Sequence, residues 1–167
     1  KPIIENWIKE IQKEVDNDLK YLHNINENSA QKFRKMYFDL RNKNIKKNNG
    51  KKIYIDKMPL NIIYAGEILR IFPDAKFIMA LRHPCDCVLS CFMQSFEMND
   101  AMSNFLNLED SANFYDSVMK IWQLYVNTFS INLHTVKYED VVTNFEKSIK
   151  DILDFLEVAW SKNILEF

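Results

Sequence analysis

Residues 76–90 read KFIMALRHPCDCVLS. The mostly apolar run 76–81 predicts a buried strand, and Pro84 suits the first position of a following helix because its ring fixes φ and it has no N–H. Arg82 then lies just past the carboxyl end of the strand, and Ser90 lies about two turns into the helix. An arginine, a hydroxyl and a helix N-terminus close together suit a phosphate dianion. From these residues alone, Arg82 could instead pair with a carboxylate, and Ser90 could bond its own helix.

The segment before this stretch predicts a βαβ unit. Residues 52–57 have the pattern of a strand, and a helical pattern opens at Pro59 and stops at Pro73. Strand 76–81 follows at once. Because the links are short, the two strands should be parallel with a right-handed crossover.

The segment after it continues the alternation of helices and strands. A long helix is predicted over 109–128 behind Asn107, followed by a third strand over 133–138. The residues Thr143 and Glu146 form a capping box for a last helix. We therefore predict a helix-rich, three-layer α/β fold with a parallel sheet.

Ligands of open parallel sheets bind beyond the carboxyl ends of the strands. The three predicted strands deliver Lys57, Arg82 and Tyr138 to that edge. Two cations and an aromatic ring at one edge predict a nucleotide site. Asp56 and Glu139 flank these residues, and the sequence leaves open whether they orient neighbours or pair with lysines.

The first 51 residues predict packing helices and a loop. Apolar residues at helical spacing predict one helix over 3–22, and Asn28 with Gln31 forms a plausible capping box for a second. Residues 41–52 are polar and basic and predict an exposed loop. We divide the chain into a helical segment with its loop, 1–51, and a domain, 52–167, within one globular unit.

Composition excludes several classes of protein. The chain has 167 residues, a net charge of −1 and only two glycines, which favours one helix-rich domain and gives no general attraction to nucleic acid. No run is long and apolar enough for a membrane span, and no signal peptide is apparent. The three cysteines, Cys85, Cys87 and Cys91, form neither a disulfide framework nor a standard zinc pattern, so we predict no metal site.

Several short motifs together resemble one family. Arg82 and Ser90, with seven residues between them after an apolar strand, are similar to the 3′-phosphate motif of sulfotransferases that use 3′-phosphoadenosine 5′-phosphosulfate (PAPS). Further matches follow in the family's order: DKMPLN at 56–61, FPDAK at 72–76, KYED at 137–140 and LDFLEVAW at 153–160. The set resembles the tyrosylprotein sulfotransferases and the bacterial sulfotransferases with tetratricopeptide repeats. The similarity covers residues 52–167, and the first 50 residues match only in being helical.

The resemblance implies a role for each matched residue. Arg82 and Ser90 become the 3′-phosphate ligands, Tyr138 contacts the adenosine, and Lys57 becomes the catalytic lysine. It implies PAPS as the donor without a metal, a sheet like that of P-loop nucleotide kinases, and a hydroxyl acceptor. That acceptor is a tyrosyl peptide, a carbohydrate, or a small alcohol or phenol.

One family feature is missing. The loop that holds the 5′-phosphosulfate has no counterpart in residues 1–51, where glycine is scarce. We therefore expect a fragment, incomplete at its N-terminus, that holds the 3′-phosphate half of the donor site, and helical repeats are a possible upstream neighbour.

Two other functions and two compartments stay open. The chain could be a non-catalytic, truncated sulfotransferase-like domain, or a nucleotide or small-molecule kinase, although it has no Walker loop. Unpaired cysteines and the lack of an Asn-x-Ser/Thr site favour the cytoplasm over a secretory lumen.

Overall fold

A computed structural model describes residues 3–15, 20–44 and 53–165. The chain forms two compact units, an N-terminal unit, Lys1–Ala75, and a C-terminal unit, Lys76–Phe167. Each unit is described by itself. The predicted boundary between 51 and 52 stays a prediction.

The N-terminal unit is helical. Its elements are α1 (Ile3–Glu14), α2 (Tyr21–Asn24), α3 (Glu27–Asn44), a 3₁₀ helix (Pro59–Tyr64) and α4 (Ala65–Ile71). Trp7 and Ile11 are fully buried, and the Trp7 indole N–H donates to the carbonyl oxygen of Phe33 at 2.8 Å. That hydrogen bond joins α1 to α3 through the middle of the apolar core, so the ring both fills the core and has its polar atom satisfied.

Three predictions for this unit were wrong in detail. The helix predicted over 3–22 ends at Glu14, and Tyr21 begins a separate short helix. Helix α3 begins at Glu27, and Asn26 rather than Asn28 caps it, since the Asn26 side-chain oxygen accepts from the backbone N–H of Ser29 at 3.0 Å. The loop predicted over 41–52 begins later, because α3 continues to Asn44; its remainder, 45–52, lies outside the described residues.

The strand predicted over 52–57 was also wrong for its described residues, 53–57, which form no strand. Ile55 is 75% exposed, and the Tyr54 ring lies against the Arg41 guanidinium, with 3.6 Å between Cζ and the ring centre. A run of residues with high strand propensity, such as 53–55, becomes a strand only where a neighbour pairs with its backbone, and the described sheet offers these residues none.

The C-terminal unit holds the sheet. Its elements are β1 (Lys76–Leu81), α5 (Pro84–Met93), a 3₁₀ helix (Met102–Phe105), α6 (Leu108–Thr128), β2 (Asn132–Lys137), α7 (Tyr138–Thr143), α8 (Phe145–Phe155) and a 3₁₀ helix (Lys162–Leu165). Strands β1 and β2 are parallel, in a register that runs from Lys76 opposite Asn132 to Leu81 opposite Lys137.

Helices cover both faces of this sheet. Phe77 packs on Trp122 of α6 with 6.3 Å between ring centres, and His134 stacks on Phe155 of α8 at 5.4 Å. Phe77 lies opposite Leu133, so His134, the next residue, points to the other face. Helix α6, the sheet and α8 therefore form three layers, and the predicted helix-rich α/β fold with a parallel sheet is confirmed.

Local signals in this unit were partly right. Asn107 caps α6 as predicted, accepting from the N–H of Asp110 at 2.8 Å. Thr143 does not cap α8. Thr143 is the last residue of α7, and its hydroxyl donates to the carbonyl oxygen of Glu139 at 2.9 Å. The residue that precedes α8 is Asn144. Tyr138, predicted as the end of a strand, is the first residue of α7.

The amino end of β1 is tied to the end of α8. The Lys76 ammonium donates to the Glu157 carboxylate at 2.6 Å and to the Phe155 carbonyl oxygen at 2.8 Å. Glu157 has φ of 58°, the left-handed conformation common just past a helix end, and the N–H of Val158 returns to the carbonyl oxygen of Leu153 at 2.9 Å. Lys76 therefore satisfies one of the carbonyl groups that the end of α8 leaves open.

Candidate functional site

The register of the sheet brings Arg82 and Tyr138 together. Leu81 and Lys137 form the last pair, so the next residue on each chain leaves the carboxyl edge of the sheet at the same level. The Arg82 guanidinium carbon lies 5.2 Å from the centre of the Tyr138 ring, and Tyr138 is 54% exposed. A cation over an exposed aromatic face results, as expected for residues that contact a ligand rather than the core.

Arg82 and Ser90 line the same pocket. This open pocket has a volume of about 240 Å³, and its wall consists of Arg82, Asp86, Leu89, Ser90, Met93 and Gln94. The residues lie on one face of α5 and at the end of β1. The volume is below the roughly 300 Å³ at which pockets for whole small molecules begin, so the pocket suits one group of a larger ligand.

The charge of Arg82 is only weakly neutralised. Its Nε lies 3.7 Å from the Asp86 carboxylate, and the two side chains are 41% and 56% exposed. An exposed pair at this distance contributes at most about 1 kcal/mol. The alternative in which Arg82 is held by a buried carboxylate does not occur among the residues that the structure describes.

The Ser90 hydroxyl is not used by its own helix. Ser111 and Ser148 each donate to the carbonyl oxygen four residues earlier, at 2.6 Å and 2.9 Å. Within the described ranges, the Ser90 hydroxyl forms no such bond. Since serines in helices commonly bond back in this way, a free hydroxyl beside an arginine is a donor available to a ligand.

Glu139 fixes the turn that carries Arg82. Its carboxylate accepts from the backbone N–H of His83 at 2.9 Å, which links the start of α7 to the start of α5. The pKa of Glu139 is held below its usual value, chiefly by its own backbone N–H and then by that of His83. Of the two roles left open by the sequence, Glu139 takes the orienting one, since it pairs with no lysine in the described part of the chain.

Asp56 takes an orienting role as well. Its carboxylate accepts from the Tyr37 hydroxyl at 3.2 Å and from the Asn61 side-chain amide at 3.3 Å. Lys57 beside it is exposed and forms no ion pair with any described residue. Lys57 belongs to the N-terminal unit, whereas Arg82, Ser90 and Tyr138 belong to the C-terminal unit.

Sequence reasoning missed Tyr37, because a tyrosine inside a helix far from every motif gives no functional signal.

Among the residues that the structure describes, neither a metal-binding cluster nor a membrane-spanning helix is found. They contain no group of three or more histidine, cysteine or acidic side chains that could hold a metal ion. The three cysteines form no disulfide; Cys85 is exposed, and Cys87 and Cys91 are half-buried. No helix within the described ranges has the length and apolar character needed to cross a membrane.

Comparison with known proteins gives the family. Residues 5–162 match the family described as "Sulfotransferase family". The chain belongs to the sulfotransferase family. The match extends from residue 5, beyond the range 52–167 over which the motifs of the sequence show the resemblance, and therefore includes the N-terminal helices.

One relative of this sulfotransferase chain is an "Uncharacterized protein" of Aquifex aeolicus (strain VF5). The two are 27% identical over 117 residues, which make up 68% of this chain and 15% of the relative. The chain thus spans about a seventh of the length of that protein. No solved structure matches the chain.

Proposed function

We propose that this chain transfers a sulfuryl group from PAPS to a hydroxyl acceptor and that its C-terminal unit holds the 3′-phosphate and adenosine of the donor. The observation that supports this is the pocket shared by Arg82 and Ser90. A guanidinium that is weakly paired and a hydroxyl that is unused supply charge and hydrogen bonds to one phosphate. The exposed ring of Tyr138 offers a flat surface for the adenosine.

The donor fits the chemistry of these residues. A 3′-phosphate distinguishes PAPS from ordinary adenine nucleotides, and its two negative charges match the arginine fork. The pocket volume suits a phosphate group, which leaves the rest of the nucleotide to extend over the sheet edge. The proposal therefore concerns one half of the donor site.

Lys57 is the proposed catalytic residue. In the reaction, the acceptor oxygen forms a bond to sulfur, the bond from sulfur to the 5′-phosphate oxygen breaks, and the acceptor hydroxyl loses its proton. The departing 3′,5′-adenosine diphosphate gains negative charge on that oxygen. A positioned ammonium stabilises this charge, as cations do in phosphoryl transfer.

The closer relatives, the acceptor, the neighbouring repeats and the compartment are proposals of the same kind. We propose kinship with the tyrosylprotein and tetratricopeptide-repeat sulfotransferases, and an acceptor that is a tyrosyl peptide, a carbohydrate, or a small alcohol or phenol. We propose helical repeats as an upstream neighbour and the cytoplasm as the compartment. Neither a nucleic acid nor a membrane is a proposed partner.

Calorimetric titration of the full-length protein tests the donor site. The two ligands are 3′,5′-adenosine diphosphate and 5′-AMP, which lacks the 3′-phosphate. The parent should prefer the ligand that has the 3′-phosphate. Arg82→Ala should reduce that preference by about 2–5 kcal/mol, because it removes the charge partner of a phosphate, and Ser90→Ala should reduce it less. Ser117→Ala, which removes a hydroxyl bonded to its own helix on α6, is the control. If Arg82→Ala showed the same preference between the two ligands as the parent, the phosphate site at Arg82 would be ruled out.

A further inference from the structure

The segment 56–61 is held at both ends by side chains and backbone of the N-terminal unit. At its start, the Asp56 carboxylate accepts two hydrogen bonds, one on each oxygen: Oδ2 from the Tyr37 hydroxyl and Oδ1 from Asn61 Nδ2. At its far end, the backbone N–H of Asn61 donates to the carbonyl oxygen of Met58 at 3.0 Å. Asn61 therefore binds the chain on both sides of Lys57.

The Tyr37 side chain is held in place by aromatic packing. Its ring packs edge-on against Trp7, Phe38 and Phe72, with ring centres 5.6, 5.3 and 5.4 Å away. Trp7 is fully buried in the core of the unit. The phenol hydroxyl consequently reaches Asp56 from a rigid base, which is the kind of support that keeps a reactive group in place.

The hydroxyl of Tyr37 also keeps its proton. Burial, and then the charge of Asp56, raises the pKa of Tyr37 to about 12. At neutral pH Tyr37 is therefore the hydrogen-bond donor, and Asp56 is the acceptor.

These contacts fix the backbone around Lys57 and leave the Lys57 side chain free to move. Lys57 lies between Asp56, which is anchored, and Met58, whose carbonyl oxygen is bonded and which precedes the 3₁₀ helix that begins at Pro59. The Lys57 side chain is exposed and makes no ion pair with any residue of the described ranges. Holding the Cα of a flexible lysine reduces the volume that its ammonium can sample.

We propose that Tyr37, Asp56 and Asn61 form a positioning triad that aims Lys57 at the sulfuryl group of the donor. This inference rests on the catalytic role proposed for Lys57. Asp56 is then a positioning residue, which acts through the lysine beside it and does not touch the donor. The N-terminal helices thus contribute to catalysis through Tyr37 of α3.

The hydrogen bond between Asp56 and Asn61 can be inverted, which gives a sharp test. Asn61→Asp alone sets two carboxylates against each other, so Oδ1 of Asp56 loses its donor. The double variant Asp56→Asn/Asn61→Asp restores both bonds, because the new amide at 56 donates to the carboxylate at 61 and its oxygen still accepts from Tyr37. Net charge is the same in the parent and the double variant.

The full-length variants would be measured in two ways. The first is the ratio of the affinities for PAPS and for 3′,5′-adenosine diphosphate, which isolates the sulfuryl group and needs no acceptor. The second is turnover of PAPS with p-nitrophenol as the acceptor. Tyr37→Phe, Asn61→Asp, the double variant and Lys57→Ala are compared. Tyr64→Phe and Asp39→Asn, which change residues of the same unit without touching the triad, are the controls.

We expect Tyr37→Phe and Asn61→Asp to reduce kcat and the affinity ratio by about ten- to a hundredfold, the effect of a small misplacement of a reacting group. Their affinity for 3′,5′-adenosine diphosphate should stay within about twofold of the parent. The double variant should regain most of the loss of Asn61→Asp, and Asn61→Asp added to Lys57→Ala should cost nothing more.

Two results would overturn the proposal, and only one of them would also overturn the catalytic role of Lys57. If Lys57→Ala is impaired while Tyr37→Phe and Asn61→Asp behave like the parent, the triad has no positioning role and the catalytic role of Lys57 stands. If Lys57→Ala matches the parent in both measurements, the catalytic role fails together with the triad. Should Asn61→Asp fail to fold, Tyr37→Phe and the double variant still decide between these results.

Discussion

Arg82 and Tyr138 occupy equivalent places on neighbouring strands, one residue beyond the last pair of the sheet, and the guanidinium carbon lies 5.2 Å from the ring centre. A contact of this kind contributes about 0.5–1 kcal/mol when exposed. The ring restricts the orientation of the guanidinium and leaves its N–H donors free for a ligand. The two side chains should therefore act as one binding surface.

Replacement of Tyr138 should separate the role of the ring from that of the hydroxyl. Tyr138→Phe keeps the aromatic face, so the affinity for 3′,5′-adenosine diphosphate should change little. Tyr138→Leu removes the face and should weaken binding by about 1–3 kcal/mol, the range of base stacking on an aromatic ring. Calorimetric titration measures both, and Phe129→Leu, at an exposed aromatic residue outside the pocket, is the control. If Tyr138→Phe lost more affinity than Tyr138→Leu, the stacking role of the ring would be contradicted.

Asp86 should oppose the binding of a phosphate. Its carboxylate lies in the wall of the pocket, 3.7 Å from Arg82 Nε, and must be displaced or tolerated when an anion arrives. Asp86→Asn should therefore tighten the binding of 3′,5′-adenosine diphosphate, by up to about 1 kcal/mol at low ionic strength and by less as salt is added. Asp116→Asn, which breaks an exposed ion pair with Lys120 on α6, should have no effect. Weaker binding by Asp86→Asn would mean that this carboxylate supports the arginine.

Glu139 should make stability depend on pH. Its pKa in the folded chain lies below the ordinary value of 4.5, so the unfolded chain takes up a proton first as the pH falls. The stabilisation from the contact with the His83 N–H should be complete above pH 4.5 and disappear as the pH falls through the lower, folded value. The midpoint of thermal unfolding of Glu139→Ala should accordingly lie below that of the parent at neutral pH and converge with it in acid.

The matched control for this experiment is Glu109→Ala. Glu109 lies in the first turn of α6, as Glu139 lies in the first turn of α7, and both are exposed. Only Glu139 bonds the backbone of another element. A gap between parent and Glu139→Ala that persists in acid would show that the side chain acts by packing and not by charge.

The three thiols should react at different rates with iodoacetamide. Cys85 is exposed and should be alkylated first. Burial raises the pKa of Cys87 and of Cys91, so both contain less thiolate at mildly alkaline pH and should react more slowly, with rates that rise as the pH increases. Mass spectrometry of timed samples measures the order, and denatured protein is the control in which the difference should vanish. Earlier reaction of Cys87 or Cys91 would refute the order.

Much of the C-terminal unit follows from its sequence because local and non-local signals agree there. The strand 76–81 and the cap Asn107 were predicted as observed, and the last strand was predicted one residue late. Two motifs of the family, FPDAK and LDFLEVAW, meet through Lys76 and Glu157. Their spacing in the sequence therefore reflects a contact in the fold.

The errors have a common physical cause, which is competition for the same polar groups. The β-branched and aromatic residues at 53–55 favour a strand, yet Tyr54 lies against Arg41 and no partner strand is present in the described sheet. Thr143 suits a cap, but its hydroxyl is taken by the carbonyl oxygen of Glu139. Partners such as these come from other parts of the chain and leave no trace in the local sequence.

The candidate site was predictable only in part, for the same reason. The residues that face a ligand, Arg82 and Ser90, follow from the strand and the helix that carry them. The partners of Asp56 and Glu139 depend on which backbone and side-chain donors lie within reach, and one of them, Tyr37, lies on α3, nineteen residues before Asp56. Orienting residues are therefore the part of a site that a single sequence reveals least.

The parallel register of β1 and β2 has a consequence for how the chain folds. Each rung joins residues that are 56 positions apart in the chain, and the contact between His83 and Glu139 spans the same interval. Closing so long a loop costs chain entropy before any pairing compensates it. The hydrogen bonds within α5 and α6 are local and lie inside that interval, so we expect the sheet, and with it the place where Arg82 meets Tyr138, to form after these helical contacts.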